Sequence, residues 1–292
     1  MINEINKLGE VYENVQLKNY TTYKVGGKAD IMVLPYDIKS LIKLLRYLNE
    51  NNIKHKVIGN GSNLIFLGDY NGVLIKLDKL NNVEICNENI KAEAGVSLIY
   101  LALKCSKLGL TGMEFATGIP GTIGGAVYMN AGAYNESMSD IIESIRVLDE
   151  NYNIIELTNK ELLFNYRDSL LQHKNYICLD ANIKLNKGNT NSILELIEKR
   201  KQKRNETQPL DYPSAGSVFR NPEGESAWKL VEGIGYKGKS IGGAKVSEMH
   251  SNFIINTGNA DGKDIKELIE KIKKEVKIKY NIDLKVEQEF VE

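Results

Sequence analysis

Residues 211–222 read DYPSAGSVFRNP, with Ser214 and Ser217 three apart among small residues. A serine nucleophile sits at a G-x-S-x-G elbow and needs a base within hydrogen-bond reach. The stretch here is A-G-S-V-F, which lacks the second glycine, and no histidine adjoins it. That leaves Ser217 as a turn hydroxyl, a disabled nucleophile or a donor of its own proton. Two glycine-rich stretches could hold a ligand. GNGSN comprises Gly59, Asn60, Gly61, Ser62 and Asn63 and follows a strand-like run. Its amides, with the Ser62 and Asn63 side chains, could line a concavity for a phosphate oxygen. Leu64 stands where a dinucleotide fingerprint needs glycine, and no P-loop lysine follows, so an ordinary turn fits equally well. GIPGTIGGAVYMNAGAY, residues 118–134, is harder to read as a turn. Gly118, Gly121, Gly124, Gly125, Ala126 and Gly132 leave backbone open to something large and flat. A long glycine-rich loop carries an entropy cost that only a ligand or close packing offsets, which favours a bound cofactor.

The elements that must carry these residues follow from periodicity. Leu41, Leu44, Leu45 and Leu48 mark a helix over 37–50, and HKVIGNG follows as a strand into a glycine turn. GVLIKL, NNVEIC and NIKAEAG read as strands, the last two as a hairpin about Asn87–Asn89. Ser97 caps a helix that Gly109 stops. SIRVLDENYNIIEL reads as a hairpin, Thr158 and Glu161 have capping-box spacing, and NYICLDANIKL is a further strand. A helix over 190–204 ends in a basic run that reads as a solvated helix end more readily than as a phosphate patch. Pro209 and Pro213 place a linker at 203–213. Beyond it, SNFIIN is a strand, 263–279 an amphipathic helix, and IDLKVEQEFV a closing strand.

The chain has 292 residues, enough for two domains or a domain with subdomains. Basic and acidic residues number 38 each, which excludes a whole-molecule attraction to nucleic acid or an anionic membrane. Residues 115–135 carry no charge over 21 positions, but five glycines and a proline argue against a membrane helix. Cys86, Cys105 and Cys178 form no C-x-x-C pair, so neither a disulfide framework nor a metal site is expected. With no secretory leader in MINEINKLGE, a reducing cytoplasm is expected. No obligatory protein partner is evident.

Six ordered stretches, TTYKVGGKAD, GNGSN, EFATGIPGTIGGAVYMNAGAY, NYRDS, PSAGSVFRNP and GGAKVSEMHSNFIIN, together resemble the UDP-N-acetylenolpyruvoylglucosamine reductase family from about residue 20 to the end. The resemblance implies an α+β fold. A two-subdomain FAD-binding domain of the vanillyl-alcohol-oxidase type would span 1–80 and 81–202, and a smaller α+β substrate-binding domain 203–292. It implies FAD and NADPH as cofactors and a UDP-sugar substrate, the hydride passing from NADPH through the flavin to the enolpyruvyl ether. FAD would lie against GNGSN and against Gly118, Ile119, Pro120, Gly121, Thr122, Gly124, Gly125, Ala126, Asn130, Ala131 and Gly132.

By the same resemblance Arg167 binds the substrate carboxylate and Ser217 gives a proton to carbon. Glu287 shares in stabilising the intermediate, with Glu289 as the alternative because Lys285, Val286 and Gln288 depart from the family's usual tail. Tyr166, Lys245 and Asn252 would bind substrate, Ser214 and His250 would be structural, and the shorter, second-type architecture is expected. The chemistry is consistent: hydride addition at C3 of an enol ether bearing a carboxylate leaves charge at C2 that needs a cation and a proton. Two rivals are another flavin-dependent oxidase of the same superfamily and a non-catalytic sugar-nucleotide-binding regulator.

Overall fold

A computed structural model describes residues 2–292, and they form two compact units. The first comprises the residues up to Glu13, Ile31–Asn60 and Gly72–Gln202; the second comprises Asn14–Asp30, Gly61–Asn71 and Lys203–Glu292. Three consecutive segments were the expectation. Residue 80 lies inside the first unit, between the strand Tyr70–Lys76 of one sheet and Val83–Cys86 of another, and the unit's hydrophobic core includes Ile5, Leu80 and Leu185.

The first unit contains a five-stranded antiparallel sheet in the order Ile154–Thr158, Ile142–Leu148, Ile177–Lys184, Asn89–Glu93, Val83–Cys86. Its central strand buries Asp180 completely, and the cross-strand Arg146 clamps that carboxylate through Nε and Nη2. A buried carboxylate survives only when so paired. Most residues of a four-stranded sheet, ordered Gly9–Gln16, Lys28–Pro35, Tyr70–Lys76, His55–Ile58, also fall in this unit. The helix Ile38–Glu50 links Lys28–Pro35 to His55–Ile58; Asp37 accepts from Ser40 N, and Leu41, Leu44, Leu45 and Leu48 are buried on one face. The helix Leu98–Lys107 is capped by Ser97 as expected.

Four local expectations change. The glycine-rich loop contains a helix, Ile123–Tyr128, because Thr122 accepts from Gly125 N and Ile123, Ala126 and Val127 are buried. Thr158 and Glu161 do bond, but only turns follow, since no apolar helical face begins there. The helix Thr190–Thr207 runs through the start of the expected linker, because nothing in 203–207 breaks a helix before Pro209. The closing strand is short: only Glu289–Val291 is a strand, and Val286 makes an isolated bridge to Phe219.

The second unit packs a three-stranded antiparallel sheet, Ser240–Ile241, Ala244–Val246 and Ile254–Asn256, with the helix Gly262–Tyr280. Asp261 and Asp264 form a capping box at that helix's start, and Asn281 ends it in the left-handed conformation at φ 56. Ile265, Leu268, Ile269, Ile272 and Val276 join Tyr23, Ile65, Val218 and Phe219 in its core. Glu289–Val291 pairs in parallel with Leu64–Phe66. Among the described residues no helix is long and apolar enough to cross a membrane.

Candidate active site

In the first unit Gly59 and Asn60 of the first glycine-rich stretch meet the second. A Cβ on Gly59 would fall 2.9 Å from Thr122 Oγ1, and Asn60 Nδ2 donates to Pro120 O at 3.4 Å. Beneath them the buried Lys76 donates from Nζ to Gly59 O at 3.1 Å and lies 3.3 Å from Asp78. Gly124 presses on Ala94, its missing Cβ 3.0 Å from that methyl, and its N–H bonds Ala94 O. Gly121 differs: a Cβ there would meet nothing within 4 Å, so its smallness is not explained by packing. Ile119 packs partly buried on the core, and Ala126 is buried.

Asn130, 5% exposed and at φ 41, does not point its amide outward. Its Nδ2 donates to Asn165 O at 2.8 Å, and its Oδ1 accepts from Ser139 N at 3.0 Å. This ties the glycine-rich segment to NYRDS. There Asn165 and Asp168 exchange backbone hydrogen bonds at 3.1 Å, making a tight turn with Tyr166 and Arg167 at its tip. Arg167 adopts φ 56, a left-handed conformation that a non-glycine residue holds only when its surroundings enforce it. Its Nη2 donates to Gly132 O at 2.6 Å and its guanidinium lies 5.1 Å from the Tyr166 ring centre. Tyr166 is half exposed. A planar cation held at its backbone and at one nitrogen is suited to a carboxylate.

In the second unit Gly61 sits at φ 63, and a Cβ would strike Tyr20 O at 2.0 Å. Thr22 N donates to Gly61 O, while the buried Thr22 Oγ1 has no hydrogen-bond partner among the described residues. A buried hydroxyl without a partner points to a group that supplies one. Ser62 is half-buried; Asn63 Nδ2 donates to Glu287 O at 3.0 Å, and Asn63 O accepts from Glu289 N at 2.9 Å. Within the first unit, the open space at Gly121 and the Gly59–Asn60 backbone beside Thr122 fit a large flat group with a pyrophosphate, such as FAD.

The serine segment is fixed by its backbone. Val218 N donates to Asn252 O and Val218 O accepts from Glu287 N, at 2.9 and 2.8 Å. Asn252, 4% exposed, accepts from Phe219 N through Oδ1 and donates from Nδ2 to Phe219 O. Its amide was expected on substrate and is found holding the serine segment. Gln288 is buried, and its Nε2 donates to Ala215 O at 3.1 Å and approaches the Gly216 and Ser217 carbonyls at 3.4 Å, while its Oε1 accepts from Tyr23 OH. Burial pushes the Tyr23 hydroxyl well above the ordinary tyrosine range, so it stays a donor. The Ser217 hydroxyl itself is half-buried and has no hydrogen-bond partner among the described residues.

Lys245 lies on the strand Ala244–Val246 with Nζ 2.5 Å from Glu248, whose carboxyl it holds below the usual range. His250 accepts from Asn252 N at Nδ1, packs edge-on against Phe253, and is held below the usual imidazole value by burial.

The structure thus gathers Gly59, Asn60 and the 118–132 segment with Arg167 in one unit, and Ser217, Asn252 and the Glu287 backbone in the other. Sequence reasoning missed Gln288, Tyr23, Thr22 and Lys76. Thr22 and Tyr23 lay in a matched motif, TTYKVGGKAD, and were open to notice; Gln288 stood out only as a departure from the family's tail, with nothing to show which carbonyls it would reach.

Comparison with known proteins is consistent across the chain. An FAD-binding domain model matches residues 29–158, and the model of the UDP-N-acetylenolpyruvoylglucosamine reductase C-terminal domain matches 208–291. The chain is 50% identical to the reductase of that name from Caldanaerobacter subterraneus, over 99% of this chain and 96% of the relative. It is 46% identical to that of Bacillus licheniformis, over 100% and 98%. A solved structure of the Thermus caldophilus reductase superposes with a TM-score of 0.83 at 31% identity, covering 97% of this chain and 99% of that one. The chain therefore belongs to the UDP-N-acetylenolpyruvoylglucosamine reductase family of FAD-containing oxidoreductases.

Proposed function

We propose that the protein reduces the enolpyruvyl ether of UDP-N-acetylglucosamine enolpyruvate to UDP-N-acetylmuramate with NADPH, a cytoplasmic step in making peptidoglycan precursors. The observation that carries this reading furthest is Ser217: its backbone is pinned from both sides, yet its hydroxyl has no partner among the described residues. FAD, when bound, supplies the hydride that adds to C3. Arg167 takes the substrate carboxylate and offsets the negative charge that develops on it and on C2. Ser217 gives its proton to C2 and recovers one from solvent, so the double bond gains one hydride and one proton. A hydroxyl is far too weak an acid for this in water; a basic carbon in a water-poor site makes the transfer feasible. Glu287, whose N–H bonds Val218 O, acts beside the serine, and Glu289 is its alternative. Tyr166 and Lys245 flank the carboxylate and the sugar-nucleotide pyrophosphate.

Ser217→Ala tests the assignment. The variant should keep its flavin and its reduction by NADPH while steady-state turnover falls about 10²–10⁴-fold, the range of a lost general acid. Turnover equal to wild type would remove Ser217 from the mechanism. Arg167→Lys, which keeps the charge but loses the planar fork, should cost roughly 10²-fold in kcat/KM.

A further inference from the structure

The turn that carries Arg167 is held by a carboxamide to which no motif drew attention. Gln172 lies in the short helical turn Leu170–Gln172. Its Nε2 donates to Tyr128 O at 2.8 Å and to Arg167 O at 3.0 Å. Both neighbours are carbonyl oxygens, so the group facing them must be the NH₂, and each of its two hydrogens meets one acceptor. Ser169 Oγ reaches the same Tyr128 carbonyl at 2.7 Å. Asn130 ties the opposite side of the turn through Asn165 O, and Arg167 reaches forward to Gly132 O. Tyr128, Asn130 and Gly132 all belong to the glycine-rich segment that fits the flavin.

We propose that Gln172 is a positioning residue for Arg167: by bridging the Arg167 and Tyr128 carbonyls it sets where the guanidinium projects relative to that segment. The proposal rests on the reading that Arg167 binds the substrate carboxylate. A left-handed residue at the tip of a turn has other conformations within reach, and the carbonyl of Arg167 is the handle by which one is selected. A bidentate cation displaced by about 1 Å loses on the order of 10²-fold in rate, so a loosened turn is visible in kinetics.

Two variants of the holoenzyme test it. Gln172→Met keeps the length of the side chain and removes both donors; Gln172→Glu keeps its shape and turns acceptor oxygens toward two carbonyls. Gln172→Met should retain one FAD per chain and lower kcat/KM for the enolpyruvyl sugar nucleotide about tenfold, mostly through KM. In an Arg167→Lys background the same change should alter kcat/KM by less than about twofold, because coupled residues do not act independently. Gln172→Glu, compared with wild type at each pH, should recover as its carboxyl takes a proton and regains one donor. Should Gln172→Met fail to fold, that recovery alone decides. Multiplying effects in the double variant, an unimpaired Gln172→Met, or no recovery of Gln172→Glu at low pH overturns the proposal. An Arg167→Lys enzyme that turns over like wild type instead overturns the role of Arg167, and the proposal with it.

Discussion

Asn252 commits both ends of its carboxamide to the Phe219 backbone, and its own carbonyl holds Val218 N, so one buried side chain sets the path of the serine segment. Asn252→Ala leaves a buried N–H and C=O unpaired and should destabilise the protein by about 2–4 kcal/mol in denaturant titration, with turnover falling alongside. Next to it, burial keeps His250 neutral in the folded chain, while the unfolded chain protonates below its ordinary value of 6.5. The unfolded state therefore binds the extra proton, and the stability present above that pH is lost as pH falls through it. Thermal melts at pH 7.5 and 5.5 should show wild type losing more Tm than His250→Gln; equal losses would contradict this. At this scale the segments that carry Ser217 and Arg167 stood out because they lay in ordered motifs, and their proposed roles rest with the Ser217→Ala and Arg167→Lys variants. The contacts of Gln288 and Gln172 were not legible, because a carboxamide acquires meaning only from the carbonyls that the fold brings to it.

At the scale of elements, amphipathic periodicity located the helices Ile38–Glu50, Leu98–Lys107 and Gly262–Tyr280, and Ser97 was readable as the cap of the second. The helix Ile123–Tyr128 was illegible because its two glycines lower helix propensity, and only the Thr122 cap and burial offset that. The glycines in the two loops do different work, which substitution separates. Gly61→Ala puts a Cβ 2.0 Å from Tyr20 O at a left-handed φ, and should cost about 2 kcal/mol or more in apoprotein stability. Gly121→Ala meets open space, so the apoprotein should melt within about 0.5 kcal/mol of wild type. Its flavin should nonetheless be lost faster on dialysis, as followed by absorbance; unchanged retention would mean that the space at Gly121 is not the cofactor's.

For the whole molecule, composition and motif order were enough for a mixed α and β fold with a flavin-binding part and a C-terminal part. The discontinuous makeup of the second unit was not, since Leu64–Phe66 and Glu289–Val291 pair across more than two hundred residues with no local pattern to announce it. The thiols report on the same packing. Cys86 is exposed, Cys105 is buried with its thiol pushed up to about 11, and burial pushes Cys178 higher still. A native thiol titration should therefore find one reactive cysteine, and denaturation all three. The central claim concerns electron flow through the intact protein, and an anaerobic flavin spectrum tests it most directly. Purified protein should be yellow, bleach with NADPH, and regain its flavin absorbance on adding one equivalent of UDP-N-acetylglucosamine enolpyruvate, with an equal amount of UDP-N-acetylmuramate formed. A flavin that stays bleached with the sugar nucleotide and recovers only when oxygen is admitted would contradict it.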